Sequence, residues 1–153
     1  MHSIAVKVKF LRQTDQSGNR LEYATSMSAG IDLRAFMDES IVELVPGQSF
    51  FFPAGISIEP QHPGVAGFIF SRSGLGTKKG LVVCQGVGVI DPDYRGEILV
   101  CLRNTSQQTH HVKRGQRIAQ LVFMPFYQAD IAKVEDLCAT TRGSGGFGHT
   151  GNM

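Results

Sequence analysis

The sequence predicts an all-β sandwich or barrel built as one domain. Short apolar stretches recur between turn-forming residues along most of the chain, and no segment carries a long amphipathic period of 3.6 residues. The 153 residues suit one hydrophobic core, and no Pro/Gly/Ser linker divides the interior. In order, Ile4, Val6, Val8 and Phe10 fall on one face of a period-2 segment with Lys7 and Lys9 on the other, the pattern of a half-buried strand. Further apolar runs follow at 31–33, 41–45, 50–52, 56–58, 65–70, 81–84, 98–102, 118–123 and 131–134. Asp38, Pro46, Gly47, Pro53, Gly55, Pro60, Pro63, Gly64, Asn104, Arg114 and Gly115 separate them as turn residues. Only residues 134–140 and the few after Ser71 suit helical turns, so at most one short helix is expected. Beyond Thr141 the chain becomes Arg142-Gly143-Ser144-Gly145-Gly146-Phe147-Gly148, and its glycines lose too much backbone entropy to order unaided. Residues 1–141 are therefore expected as the β domain and 142–153 as a flexible arm.

The totals exclude several function classes. A formal charge of +2 with 18% charged residues provides no field able to hold a nucleic acid, so an anionic ligand must be gripped locally. Cys84, Cys101 and Cys138 are odd in number and widely spaced, which suggests reduced, buried thiols in a cytoplasmic protein and neither a disulfide framework nor a zinc knuckle. The alternating N-terminus is not a signal peptide, and nowhere do the roughly 18 apolar residues of a membrane helix run together. His110 and His111, as strand neighbours, point to opposite faces, and no histidine set has metal-ligand spacing.

Four segments carry chemistry. In Asp91-Pro92-Asp93-Tyr94-Arg95-Gly96-Glu97 an apolar run breaks into a type I-like turn, Asp first and Pro second, loaded with carboxylates, a phenol and a guanidinium. Taken alone, Asp91 could merely cap the turn while Asp93, Arg95 and Glu97 are solvated. Arg72-Ser73-Gly74 opens a glycine-rich stretch combining a bidentate cation, a hydroxyl and accessible backbone N–H groups, the parts of a phosphate nest; it matches no Walker or dinucleotide fingerprint. Gly86 and Gly88 interrupt an apolar strand, as at a bulge or where a flat ligand meets the main chain. Phe147 is an aromatic ring in a glycine arm, able to gain stacking energy on a base.

Taken in order, Ala29-Gly30-Ile31-Asp32-Leu33-Arg34-Ala35, Arg72-Ser73-Gly74-Leu75, Gly88-Val89-Ile90-Asp91-Pro92-Asp93-Tyr94-Arg95-Gly96, Arg117-Ile118-Ala119-Gln120-Leu121-Val122-Phe123 and the Arg142 to Gly148 arm resemble the five motifs of the trimeric dUTP pyrophosphatases. The resemblance spans nearly the whole chain. It implies a β-barrel or jelly-roll-like fold in a homotrimer, with sites at subunit contacts, each closed by the arm of another copy. It also implies Mg²⁺-assisted hydrolysis of dUTP to dUMP and pyrophosphate in the cytoplasm, limiting uracil incorporation into DNA and supplying dUMP for dTMP synthesis.

The residue roles it implies are specific. Asp91 would act as general base on the water that attacks the α-phosphorus, with Gln120 ordering that water. Arg72, Ser73 and Gly74 would bind phosphate, and Asp32 would reach Mg²⁺ through water, the ion being held mainly by substrate phosphates. Gln85, Gly86, Gly88 and Ile90 would read uracil through the main chain, Tyr94 would pack under deoxyribose, and Arg142, Phe147 and Gly148 would close the site. The chain departs from the family at His149, where many members carry serine, at Gln85, where some carry asparagine, and at Ser71, where glycine is frequent. Two other readings share these residues: a dCTP deaminase of related fold, and a regulatory module that captures a protein partner.

Overall fold

A computed structural model describes residues 3–12 and 21–146. Eleven strands and one helix form among them: β1 (Val6–Phe10), β2 (Ile31–Arg34), β3 (Ile41–Leu44), β4 (Ser49–Pro53), β5 (Ile56–Pro60), β6 (Val65–Ser71), α1 (Ser73–Lys79), β7 (Leu81–Val83), β8 (Val87–Ile90), β9 (Leu99–Asn104), β10 (His110–Lys113) and β11 (Arg117–Pro125). Every pairing is antiparallel. The sheets run β2-β11-β6-β8 and β4-β9-β7, with the pairs β1-β5 and β3-β10 beside them. Strand neighbours distant in sequence are the crossovers of a jelly-roll-like fold, as expected.

Alternation builds the core. In β9, Val100 and Leu102 are buried while Leu99 and Arg103 face outward, and Leu33, Leu44, Phe52, Ile58, Ile118 and Leu121 meet them in one cluster. Ser57 breaks the apolar run of β5, and its hydroxyl is satisfied by donating to the Arg95 carbonyl at 2.9 Å. Burial pushes the Cys101 thiol up to about 12.

The one short helix expected after Ser71 forms as α1, closed by Gly80 at φ 65°, where a left-handed C-cap spares glycine the Cβ clash and Lys78 and Lys79 face the helix C-terminus. Other expectations are corrected. Residues 131–134 form no strand and 134–140 no helix, because none of the described residues covers them; Tyr127, Ile131 and Leu137 are nearly fully exposed. Cys101 is buried, but Cys84 and Cys138 are exposed. Among the described residues no helix is long and apolar enough to cross a membrane.

Asn104, expected in a turn, ends β9 fully buried. Its Nδ2 donates to the carbonyls of Leu44 and Gln108 at 2.8 and 2.7 Å, and its Oδ1 accepts from the Ser106 N–H and hydroxyl at 3.0 and 2.8 Å. All the bonding capacity of the amide is used, tying β9 to β3. Replacing it with leucine strands those partners in a dry site. Asn104→Leu should therefore lower stability by about 2–4 kcal/mol in urea unfolding, whereas an unchanged midpoint would show that water replaces the amide.

Candidate active site

Antiparallel register assembles one polar cleft. Gln120 of β11 pairs directly with Asp32 of β2 on one side and with Phe70 of β6 on the other, so Gln120 and Asp32 share a face. Arg72 follows β6 immediately, with extended backbone at the N-cap of α1, and Ser73 and Gly74 begin the helix. These side chains, with Gly30 and Arg117, line an open cleft of about 390 Å³.

The charges in it are interlocked. Asp32 accepts from Arg72 Nε at 2.7 Å on Oδ1 and from Arg117 Nη1 at 3.0 Å on Oδ2, with only a fifth of its side chain exposed. Two cations around one anion leave the cleft floor with a net positive charge, suited to an anionic ligand. Gln120 donates from Nε2 to the Ser71 carbonyl at 3.3 Å. That pose needs Gly30, because a Cβ there would lie 2.9 Å from Gln120 Oε1 and 3.2 Å from its Cβ.

A second set of expected residues lies on the β7–β8 connection, on β8 and on the turn after it. Gln85 and Gly86 occupy the turn that carries the chain from one sheet to the other, closed by Gly86 N–H donating to the Val83 carbonyl at 3.0 Å. Gly88 packs flat on β6, where a Cβ would lie 3.2 Å from the Ile69 Cβ. No bulge interrupts the β6–β8 register there. The turn expected at Asp91 forms, with Tyr94 N–H donating to the Asp91 carbonyl at 3.1 Å, and the Asp91 side chain is exposed. Tyr94 curls over Gly96 and donates to the Glu97 carbonyl at 3.0 Å; any side chain at Gly96 would collide with its ring.

Glu97 is not a solvated carboxylate. It accepts from Arg12 Nε at 2.8 Å and from the Gly55 N–H at 3.0 Å, and the Arg12 bond raises the Arg12 pKa above its ordinary value. Arg95 is likewise structural, donating to the Pro92 carbonyl at 2.7 Å. Arg142 is exposed and donates within its own turn to the Gly145 carbonyl at 2.9 Å. Phe147, Gly148 and His149 lie outside the described residues.

One chain does not join the two sets. Ile90 pairs with Gly67, so Asp91 is level with Ala66, whereas Arg72 follows Ser71 at the far end of β6. Six residues of strand amount to about 20 Å.

A family model described as dUTPase matches residues 16–151. The chain belongs to the dUTPase family. It is 46% identical over 151 residues to the deoxyuridine 5'-triphosphate nucleotidohydrolase of Desulfitobacterium hafniense, covering 99% of both chains. It is 52% identical over 129 residues to that of Cronobacter sakazakii, covering 84% of each. Among solved structures it resembles the dUTPase of Staphylococcus bacteriophage 80alpha with dUPNHPP, at TM-score 0.79 and 25% identity over 98% of this chain and 100% of that one. The dUTPase of Streptococcus mutans matches at TM-score 0.67 and 32% identity over 80% of this chain and 98% of that one.

Within this dUTPase, Arg117 and Gly30 are among the cleft residues that went unassigned in the sequence. Arg117 stood in a motif without a role, because strict alternation from Gln120 puts it on the core face. Gly30 likewise stood in a motif without a role of its own, and the Gln120 contact supplies one. Gly30→Ala should leave the fold intact but swing the Gln120 amide off the Ser71 carbonyl in a crystal structure, and an undisturbed Gln120 would show that the strand gives way instead.

Proposed function

We propose that this protein hydrolyses dUTP to dUMP and pyrophosphate at sites built between copies of a homotrimer, acting in the cytoplasm. The observation that carries the proposal is the basic cleft of Arg72, Asp32, Arg117 and Gln120 in a chain whose Asp91 stands about 20 Å away along the strands. A base must come within hydrogen-bond reach of the water it deprotonates, so Asp91 has to serve the cleft of another copy. The bare apolar side chains of Tyr127, Ile131 and Leu137 fit the same assembly, since a neighbouring copy would cover them.

At each site Arg72, Ser73 and Gly74 hold the phosphates, and Gln120 orients the water. Asp91 takes its proton as the water oxygen bonds to the α-phosphorus and the bond to the bridging oxygen breaks, releasing pyrophosphate. Backbone groups from Gln85 to Ile90 read uracil, Tyr94 supports the deoxyribose, and Arg142, Phe147 and Gly148 close the site. Among the described residues no three acidic, histidine or cysteine side chains converge into a metal cage. Mg²⁺ fits nonetheless, because it keeps several waters and is held mostly by substrate phosphates, with Asp32 facing the same cleft. Bound there, it would neutralise charge developing on the phosphate oxygens. Among the fold neighbours, a mutant dUTPase from a Staphylococcus aureus phage, phi11, is described with a structural Mg(II) ion.

A pyrophosphate-release assay across dUTP, dCTP, dTTP and UTP should respond to dUTP alone, and ammonia release from dCTP would indicate a deaminase instead. Asp91→Asn should keep nucleotide affinity while lowering kcat by at least about 100-fold; near-normal turnover would remove Asp91 from the base role. Mixing inactive Asp91→Asn and Arg72→Ala chains by co-refolding should restore about a quarter of the wild-type rate, the share of sites drawing both intact residues from different copies. No recovery would place the whole site within one chain.

A further inference from the structure

Arg117 shares the cleft with Arg72 and Gln120, and a defect in the sheet brings it there. Along β11 Gln120 pairs with Asp32 and Ala119 with Leu33, but Arg117 pairs with Arg34. Two steps on β11 thus match one on β2: Ile118 is the extra residue of a bulge, and both Ile118 and Ala119 are fully buried. Without the bulge Arg117 would have the parity of Ala119 and Leu121 and point into the core. With it, Arg117 lies on the face of Arg34, Asp32 and Gln120. A bulge interrupts a sheet ladder, and here it re-aims one charged side chain into a cleft.

The bonding around Asp32 shows what that side chain does. Oδ1 takes Arg72 Nε, and Oδ2 takes Arg117 Nη1. Among the described residues the Arg72 side chain makes no other hydrogen bond, so both its Nη groups remain available to a ligand. With Oδ2 vacant, a carboxylate and a guanidinium favour the side-on bidentate pairing, which would consume Arg72 Nη2 as well. We propose that Arg117 is a positioning residue: by occupying Oδ2 of Asp32 it confines that carboxylate to the Nε corner of Arg72, so that Arg72 presents both Nη groups to the phosphate chain. This rests on the cleft being the phosphate half of a dUTP site.

The test is a double-mutant cycle of Arg117→Gln and Asp32→Asn, with Arg117→Lys as the conservative control and thermal unfolding as a check of folding. Each protein is titrated by calorimetry with the imido analogue dUpNHpp and with deoxyuridine, which carries no phosphate, in EDTA so that the side chains alone report. Arg117→Gln should weaken dUpNHpp about tenfold and deoxyuridine less than about twofold, with Arg117→Lys recovering most of the loss. The double variant should be no weaker than Asp32→Asn, and crystals of Arg117→Gln should show Arg72 turned side-on to Asp32. Additive losses would mean that Arg117 acts on phosphate independently of Asp32. Equal losses for both ligands would mean a general distortion, and no loss would mean no role; each of these overturns the proposal. A wild-type chain that binds neither ligand would overturn the functional reading, and this proposal with it.

Discussion

The cleft depends on one carboxylate gripped from two sides. Asp32 belongs to β2, Arg72 to the junction of β6 and α1, and Arg117 to the start of β11. Its two ion pairs therefore fix three segments that are far apart in sequence. A largely buried charge is costly to desolvate, and this one is tolerable because each oxygen receives a charged donor at short range. The same arrangement keeps two guanidiniums close together despite their mutual repulsion, which a site for a polyanion requires. Gln120 shares that face only because β11 lies between β2 and β6 in the sheet.

The motif around Asp91 divides its labour. Glu97 and Arg95 anchor the turn to Gly55, Arg12 and the Pro92 carbonyl, and Tyr94 is locked over Gly96. Among the described residues Asp91 itself is held through its backbone turn and keeps its side chain exposed. Neighbours that absorb the structural load leave a carboxylate free for chemistry. Rigid support of this kind suits the general-base role proposed for Asp91, in which the carboxylate would have to meet a water and a phosphate bound elsewhere.

Much of the fold was legible in the residues. Strands at Val6–Phe10, Ile31–Arg34 and Val65–Ser71 follow from alternation or apolar runs bounded by turn formers, because a half-buried strand must present every second side chain to the core. The Asp91 turn followed from Pro92 and the Asp side chain. Residues 131–134 misled, since an apolar run becomes a strand only where a partner edge receives it. Asn104 misled as well: polar residues mark turns statistically, yet an amide with all its hydrogen bonds made can sit in the core.

By itself the sequence determined the all-β class, the turn that carries Asp91, the residue types of the polar cleft and their order along the chain, since these are set by local periodicity and side-chain chemistry. Tertiary structure alone decided that Arg117 faces Asp32, that Gly30 makes room for Gln120, and that Asp91 stands about 20 Å from Arg72. Those facts hinge on cross-strand register and on one inserted residue in β11, and register is a relation between distant segments that no local pattern encodes.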